Sequence, residues 1–294
     1  MTRLAVLSDL HGNLPALEAV LEDLQQRSVD GMVVAGDYTG GPHPVETIRL
    51  AHAARARLSL GGWMILGNGD IDLLAYDAGQ APATRYTHRQ YALLRWAHRH
   101  TDAETLAFLR ALPQQRVVAL DGTDAIRVVH GAPWGASAAI VPDRRPETLE
   151  RALAETGEAV LICGHTHVPW KREHSGRLVL NPGAVCAPLD GSVGAQYALL
   201  TWQRGRQQQS RWEVEFRAVP YDMERLRAAF RESGLLEEGG APARGLLLCL
   251  ETGRNVWRDF LTYARQLSAE AGHEGRDAIP DEVWQRAEAS FGWE

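Results

Sequence analysis

Five short apolar runs punctuate the chain, and each delivers a polar residue of a particular kind. Leu4 to Leu7 lead to Asp9 and His11 in "LAVLSDLHGN", Val33 and Val34 lead to Asp37 in "GMVVAGDYTGG", and "WMILGNGD" leads to Asn68 and Asp70. Further on, "AIRVVHG" ends at His130 and "AVLICGHTH" ends at His165 and His167. Runs of this length, bounded by Gly, Asn and Asp, predict buried strands. Between the first two, "NLPALEAVLEDLQQ" sets Leu14, Leu17, Leu21 and Leu24 at helical spacing and turns Glu18, Glu22 and Asp23 elsewhere. Strand, helix and strand in succession predict a βαβ opening and the α/β class. In open α/β sheets the crevice lies beyond the carboxyl ends of the strands, so residues that follow five strands are expected to meet there. In "DLH" and "HTH" the polar residues are two apart, and in extended backbone such side chains share a side.

The remainder is patterned differently. Residues 71–112 carry helical periodicity and are expected to flank the cleft as a partial lid. "YALLTW" and "RWEVEFRAVPY", joined by the polar "QRGRQQQS", read as a hairpin of a second sheet. "RESGLLEEGGAPARG" reads as a linker or turn, and from Gly245 onward Trp257, Phe260, Leu261, Ala264 and Leu267 recur at helical core spacing. The expected organisation is one domain over residues 1–232 and a helical C-terminal extension over 233–294 packed on it.

Bulk composition narrows the partners. With 294 residues, 45% hydrophobic and 23% charged, the chain reads as an ordinary globular protein. A formal charge of -6 supplies no overall basic field, so duplex nucleic acid is not an expected partner. No stretch of 18 uninterrupted apolar residues occurs, so no membrane is expected either. Cys163, Cys186 and Cys249 are odd in number and widely spaced, which argues against a disulfide framework and fits a reducing, cytoplasmic address.

Asp9, His11, Asp37, Asn68, His130, His165 and His167 together offer two carboxylates, one amide oxygen and four imidazoles. No Lys or Arg stands among them within the motifs, so they suit a borderline divalent cation better than a salt-bridge network. Taken singly, each piece has a plainer explanation: "NG" is a hairpin signal and Asn13 can cap the next helix.

The ordered set "SDLHGN", "AGDYTGG", "LGNGD", "VVHGAP" and "CGHTH" resembles the calcineurin-like metallophosphoesterases. "SDLHGNLPALEAVLEDL", the "GGPHP" loop, "LNPGAV" and "VPYDMERL" are similar to its bacterial and archaeal phosphodiesterase, or diadenosine-tetraphosphatase-like, branch. The resemblance covers roughly residues 3–230. It implies a four-layer αββα sandwich of two mixed β-sheets flanked by helices, carrying two divalent transition-metal ions. Asp9, His11, Asp37 and His167 would hold one ion and Asp37, Asn68, His130 and His165 the other, with Asp37 shared. Mn2+ is the expected activator, with Fe, Zn, Co or Ni as alternatives.

The implied activity is hydrolysis of a small phosphodiester or nucleotide-like substrate by metal-held hydroxide, with Asp37, Asn68 and His130 as catalytic residues. The alternatives are a serine/threonine phosphoprotein phosphatase and a weakly catalytic binding scaffold. Gly69 departs from the pattern, because most of the family has histidine there; Asp70, which commonly partners that histidine, is left without it. Either the leaving group needs little protonation, as a nucleoside phosphate or aryl alkoxide would, or a residue from elsewhere substitutes, with His43 and His88 as candidates. Asn13, His43 and Trp134 are candidate substrate contacts, and Trp134 and Trp170 could stack on a base.

Overall fold

The computed structural model describes residues 2–204, 211–275 and 278–293. Ten strands are described: β1 (Arg3–Leu7), β2 (Gly31–Val34), β3 (Gly62–Met64), β4 (Gln115–Val118), β5 (Ile126–Val129), β6 (Val160–Ile162), β7 (Trp170–His174), β8 (Arg177–Asn181), β9 (Ala195–Gln203) and β10 (Arg211–Val219). They form two five-stranded sheets, ordered β10-β9-β1-β2-β3 and β4-β5-β6-β8-β7. Both are mixed. In the first, β1 runs parallel to β2 and antiparallel to β9; in the second, β5, β6 and β8 are parallel while β4 and β7 run against them. The expected hairpin is β9 with β10, paired from Gln203 with Arg211 to Ala195 with Val219, although it extends the first sheet. Residues 205–210 of its "QRGRQQQS" connection lie outside the described residues.

Alternation along the strands builds the layers. Leu4, Val6 and Val33 face Val128, Ile162 and Leu180 of the other sheet in one buried cluster. Ala5, Leu7 and Val34 point the other way, onto the helices α1 (Leu14–Gln25) and α2 (Pro44–Ala56) through Leu17, Val20 and Ile48. A strand with both faces buried needs apolar residues at every position, which is why β1 and β2 read as continuous runs. The outer face of the second sheet is covered by α7 (Glu147–Ala154), reached after α3 (Asn68–Asp77), α4 (Ala83–Thr87), α5 (Ala92–Arg99) and α6 (Ala103–Arg110). The result is the αββα sandwich.

The C-terminal residues form α8 (Met223–Glu232), α9 (Leu235–Thr252), α10 (Val256–Glu270) and α11 (Asp281–Ser290). The linker expected over "RESGLLEEGGAPARG" is not one. Its glycines produce a left-handed junction at Gly234 (φ 74) and a kink inside α9 at Gly240 (φ 55), and the residues between are helical because Leu235, Ala241 and Ala243 are buried. Trp96 and Ala97 of α5 share a buried cluster with Leu235, Ala243 and Cys249 of α9, so the 71–112 segment and the extension pack together. All three cysteines are buried and free.

Candidate metal centre

Backbone pairing between loops assembles the centre. Beyond β1, Asp9 N donates to Gly36 O (3.0 Å), His11 N to Asp37 O (2.9 Å) and Gly12 N to Tyr38 O (2.7 Å). The loops after β1 and β2 therefore run side by side, which sets Asp9 and His11 against Asp37. Asp70, fully buried, ties in the loop after β3 by accepting from Gly67 N (2.9 Å), Asp37 N (2.9 Å) and Tyr38 N (3.0 Å). The loop after β8 closes the ring: Val185 N and Cys186 N donate to Ser8 O and Asp9 O, while Asn181 Nδ2 donates to Gly164 O (2.6 Å). Gly67 is required here because a Cβ would collide with the Asp37 carboxylate and amide.

The backbone at the ligand positions is not extended. Asp9 (φ 56), His11 (φ 38), Asp37 (φ 57), His165 (φ 66) and His167 (φ 57) all lie in the left-handed region. The same-side argument for "DLH" and "HTH" therefore rests on the wrong conformation, because the strands end at Leu7 and Ile162, before either motif. Convergence comes from tight turns instead. Non-glycine residues in this region are uncommon and cluster at functional sites.

Three imidazoles are oriented alike. His11 Nδ1 faces Thr39 O (2.9 Å), His130 Nδ1 faces Ala35 O (2.6 Å) and His167 Nδ1 faces Ala187 O (2.8 Å). A carbonyl can only accept, so each Nδ1 carries the proton and each Nε2 points inward, an arrangement typical of metal-binding histidines. The inward atoms crowd two carboxylates. His167 Nε2 is 3.2 Å from Asp9 Oδ1, and His11 and His130 Nε2 are each 3.9 Å from it. Asp37 Oδ2 lies 3.6 Å from His11 Nε2 and 3.3 Å from His130 Nε2, and Asn68 Oδ1 is 3.1 Å from His130 Nε2. His165 meets His130 edge-on, with ring centroids 5.4 Å apart.

These atoms fit a cation. Asp9 Oδ1 is buried and accepts no hydrogen bond, although its partner Oδ2 accepts from His165 N at 3.1 Å. Asp9, His11 and His167 form one potential ligand group and Asp9, Asp37 and His130 another. Burial alone would raise the Asp9 carboxyl, but His167, His130 and His11 hold it well below the usual carboxylate range. Burial likewise opposes ionisation of Asp37, yet His130 and His11 bring it down to about 2. Burial disfavours charge on His130, and the Asp37 and Asp9 carboxylates raise it to about 10. Two buried anions thus attract positive charge, by protonating a histidine when nothing else supplies it.

The structure brings together all seven of the expected metal-binding residues, including Asp37, Asn68 and His130. The substrate candidates are not among the residues lining the cleft, although Trp134 shares a smaller cavity with His130. Asn13 is buried and caps α1, accepting from Ala16 N at 3.1 Å. His43 precedes α2 outside the cleft lining, Trp134 stacks on the Arg151 guanidinium (4.1 Å), and Trp170 begins β7. His88 faces Ile279 O in the helical segment, and neither it nor His43, whose backbone N–H donates to Gly12 O, lines the cleft. Asp70 is not an orphan of the absent histidine, since three amides occupy its oxygens. α5, within the segment expected to flank the cleft, lines with Leu94 a cavity of about 350 Å³ beside the centre, and what sequence reasoning missed is the other part of that wall, α9 with Leu246. The only signal for it was helical apolar spacing, which does not say what it covers.

The calcineurin-like phosphoesterase superfamily domain matches residues 2–205, and the chain belongs to that family. It is 28% identical over 206 residues to the phosphodiesterase YfcE of Escherichia coli strain K12, covering 68% of this chain and 88% of that protein. The protein MJ0912 of Methanocaldococcus jannaschii is 26% identical over 245 residues, covering 76% of this chain and 89% of MJ0912. Among solved structures, a metallophosphoesterase from Sphaerobacter thermophilus superposes with TM-score 0.64 at 28% identity, covering 86% of this chain and all of that one. The protein PH1004 from Pyrococcus horikoshii OT3 shares the fold with TM-score 0.71 at 23% identity, covering 86% of this chain and 99% of its own. No helix among the described residues is long and apolar enough to cross a membrane.

Proposed function

We propose that this chain is a metal-dependent phosphodiesterase acting on a small phosphodiester or nucleotide-like substrate. The observation that carries the reading is the set of three inward Nε2 atoms around the unpartnered Asp9 Oδ1. Two divalent cations held there would supply an acidified water as nucleophile and a clamp on the phosphoryl oxygens.

The chain's own residues set up the rest. Asp9 and Asp37 provide the anionic charge: Asp9 belongs to both ligand groups, and Asp37 Oδ2 faces His11 of one and His130 of the other. Gly69 N donates to Asp37 Oδ1 (2.8 Å), which fixes the rotation of that carboxylate. The backbone carbonyls of Thr39, Ala35 and Ala187 hold the imidazoles in one tautomer. Mixed nitrogen and oxygen donors favour Mn2+, Fe2+, Zn2+, Co2+ or Ni2+ over Ca2+, which prefers oxygen alone.

A cleft of about 350 Å³ suits a small ester better than a folded phosphoprotein. A scaffold has no need of strained, oriented ligands. The test is hydrolysis of bis(p-nitrophenyl) phosphate by chelator-treated protein with and without Mn2+. Release of nitrophenolate only when Mn2+ is added is expected; equal rates in its absence, or none in its presence, refute the reading.

A further inference from the structure

We propose that the cleft selects phosphodiesters with a single negative charge whose arm retained on phosphorus is flat and aromatic, seated against a wall built by α5 and the C-terminal helices. The proposal rests on the phosphodiesterase reading and names the substrate class for that same centre. The cavity has a polar floor and a mostly apolar wall, with Gln90, Tyr91 and Asn255 also on the lining. His11, Asp37, Asn68, His165 and His167 form the floor, whereas Leu93, Leu94, Leu189, Pro242, Leu246 and Trp257 rise beside it.

The wall is preformed. The kink at Gly240 lets α9 resume with Pro242, whose missing N–H costs nothing in a first turn, and carries Leu246 one turn further along the cleft. Asn255 caps α10 by accepting from Arg258 N at 3.0 Å, which places Trp257 in the helix's first turn. The indole is held by Phe260, stacked at 5.8 Å between centroids, and by Trp284, edge-on at 6.1 Å. Gly245 makes room for it, since a Cβ there would stand 3.0 Å from the ring. An aromatic fixed on one side and open to a cavity on the other suits a second ring.

Charge sets the other half of the specificity. Among the described residues lining the cavity there is no lysine and no arginine. A phosphodiester brings one negative charge, which the metal centre meets. Each further phosphate of a dinucleoside polyphosphate would enter a mostly apolar space without a cation, and burying an unpaired charge is costly.

The experiment keeps the leaving group constant and changes the arm that stays on phosphorus. Methyl p-nitrophenyl phosphate and phenyl p-nitrophenyl phosphate are compared as kcat/KM with Mn2+, alongside a dinucleoside tetraphosphate. The phenyl ester is expected to be preferred by about 10-fold or more, as burial of one ring implies, and the tetraphosphate to be the poorest substrate. Leu246→Ala and Trp257→Ala should each shrink the phenyl-to-methyl ratio. Because Trp257 belongs to the core of the extension, a variant counts only if its Tm stays near that of the wild type, and Leu246→Ala serves where Trp257→Ala unfolds. A ratio near one, a ratio unchanged in the folded variants, or preferential cleavage of the tetraphosphate overturns the proposal and leaves the phosphodiesterase reading standing. If neither ester is cleaved, that reading fails, and calorimetric titration with diphenyl against dimethyl phosphate decides the wall separately: tighter diphenyl binding that Leu246→Ala weakens supports it, and equal binding overturns it.

Discussion

The Nε2 atoms of His11 and His167 lie 3.3 Å apart, while each ring's Nδ1 is committed to a backbone carbonyl. Two lone pairs so placed repel unless a cation or a proton stands by them. Chelation should therefore lower the Tm, and Mn2+ or Zn2+ should restore it where Ca2+ does not. At 100 times its dissociation constant a bound ion adds about 2.7 kcal/mol. Thermal denaturation checks this without any substrate, and a Tm indifferent to every transition metal would remove the metal assignment.

Asp37→Asn should harm turnover more than either His11→Ala or Asn68→Ala, because its carboxylate faces histidines of both ligand groups. The loss should exceed the roughly 10- to 100-fold typical of residues that only support a ligand. Steady-state rates and bound metal per chain, measured side by side, provide the check. Near-normal activity in Asp37→Asn would contradict a shared ligand.

Asp70 is expected to matter to folding before it matters to chemistry. Asp70→Ala strands three buried amides, of Gly67, Asp37 and Tyr38. Each unmet group costs about 1–3 kcal/mol, so a loss of about 3 kcal/mol or more is expected. Asp70→Asn keeps one oxygen acceptor and should lose less. Urea midpoints separate the two, and a wild-type midpoint in Asp70→Ala would mean the loops hold together by other means.

Gly69 can accept a side chain. Its φ is not in the left-handed region, and a Cβ would stand 3.3 Å from Asp37 Oδ1, a tight approach that the carboxylate must relieve by a few tenths of an ångström. Gly69→His should consequently raise the rate for alkyl leaving groups more than for aryl ones, by part of the about 10²- to 10⁴-fold that general acid catalysis supplies. A leaving-group series at equal metal loading measures it. Parallel slopes for wild type and variant would show that the chain already possesses a proton donor.

Away from the centre, Asp23 offers a pH test. Burial would raise its carboxyl, but the Tyr197 hydroxyl and the Arg27 and Arg217 guanidinium groups hold it below its ordinary value. A depressed carboxyl stabilises the fold above its unfolded pKa of about 3.9 and loses that contribution as the pH falls through the folded value. Asp23→Asn should be less stable than wild type at pH 7, with the gap closing below about pH 4. A gap that widens in acid would reverse the sign and the assignment.

The sandwich and the seven donors were legible because their signal is local. Continuous apolar runs such as Leu4 to Leu7 mark strands buried on both faces, and each ends next to the residue it delivers. The left-handed turns were not legible, since Asp and His, although more tolerant of positive φ than most residues, do not announce it at positions 9 and 167, and only the pairing of adjacent loops enforces it. The 231–245 segment misled for a related reason. Glycine-rich composition suggests a break, but burial of Leu235 and Ala243 against α5, and of Ala241 against Phe260 and Trp284, overrides it. The cleft wall depends on which helix faces which, and apolar spacing at Leu246 or Trp257 looks the same whether the neighbour is core or substrate.

Five residues that face the centre, Asp9, His11, Asp37, His165 and His167, sit where glycine or asparagine would rest more easily. Each such backbone conformation carries an energy of order 1–3 kcal/mol. A descendant released from catalysis would gain stability by drifting to Gly or Asn at these positions, and natural proteins keep such costs only while function selects against their removal. The fold therefore keeps its own record of use: a lineage that turned this sandwich into a passive platform would be expected to relax at the turns first. This chain has relaxed at none of the five.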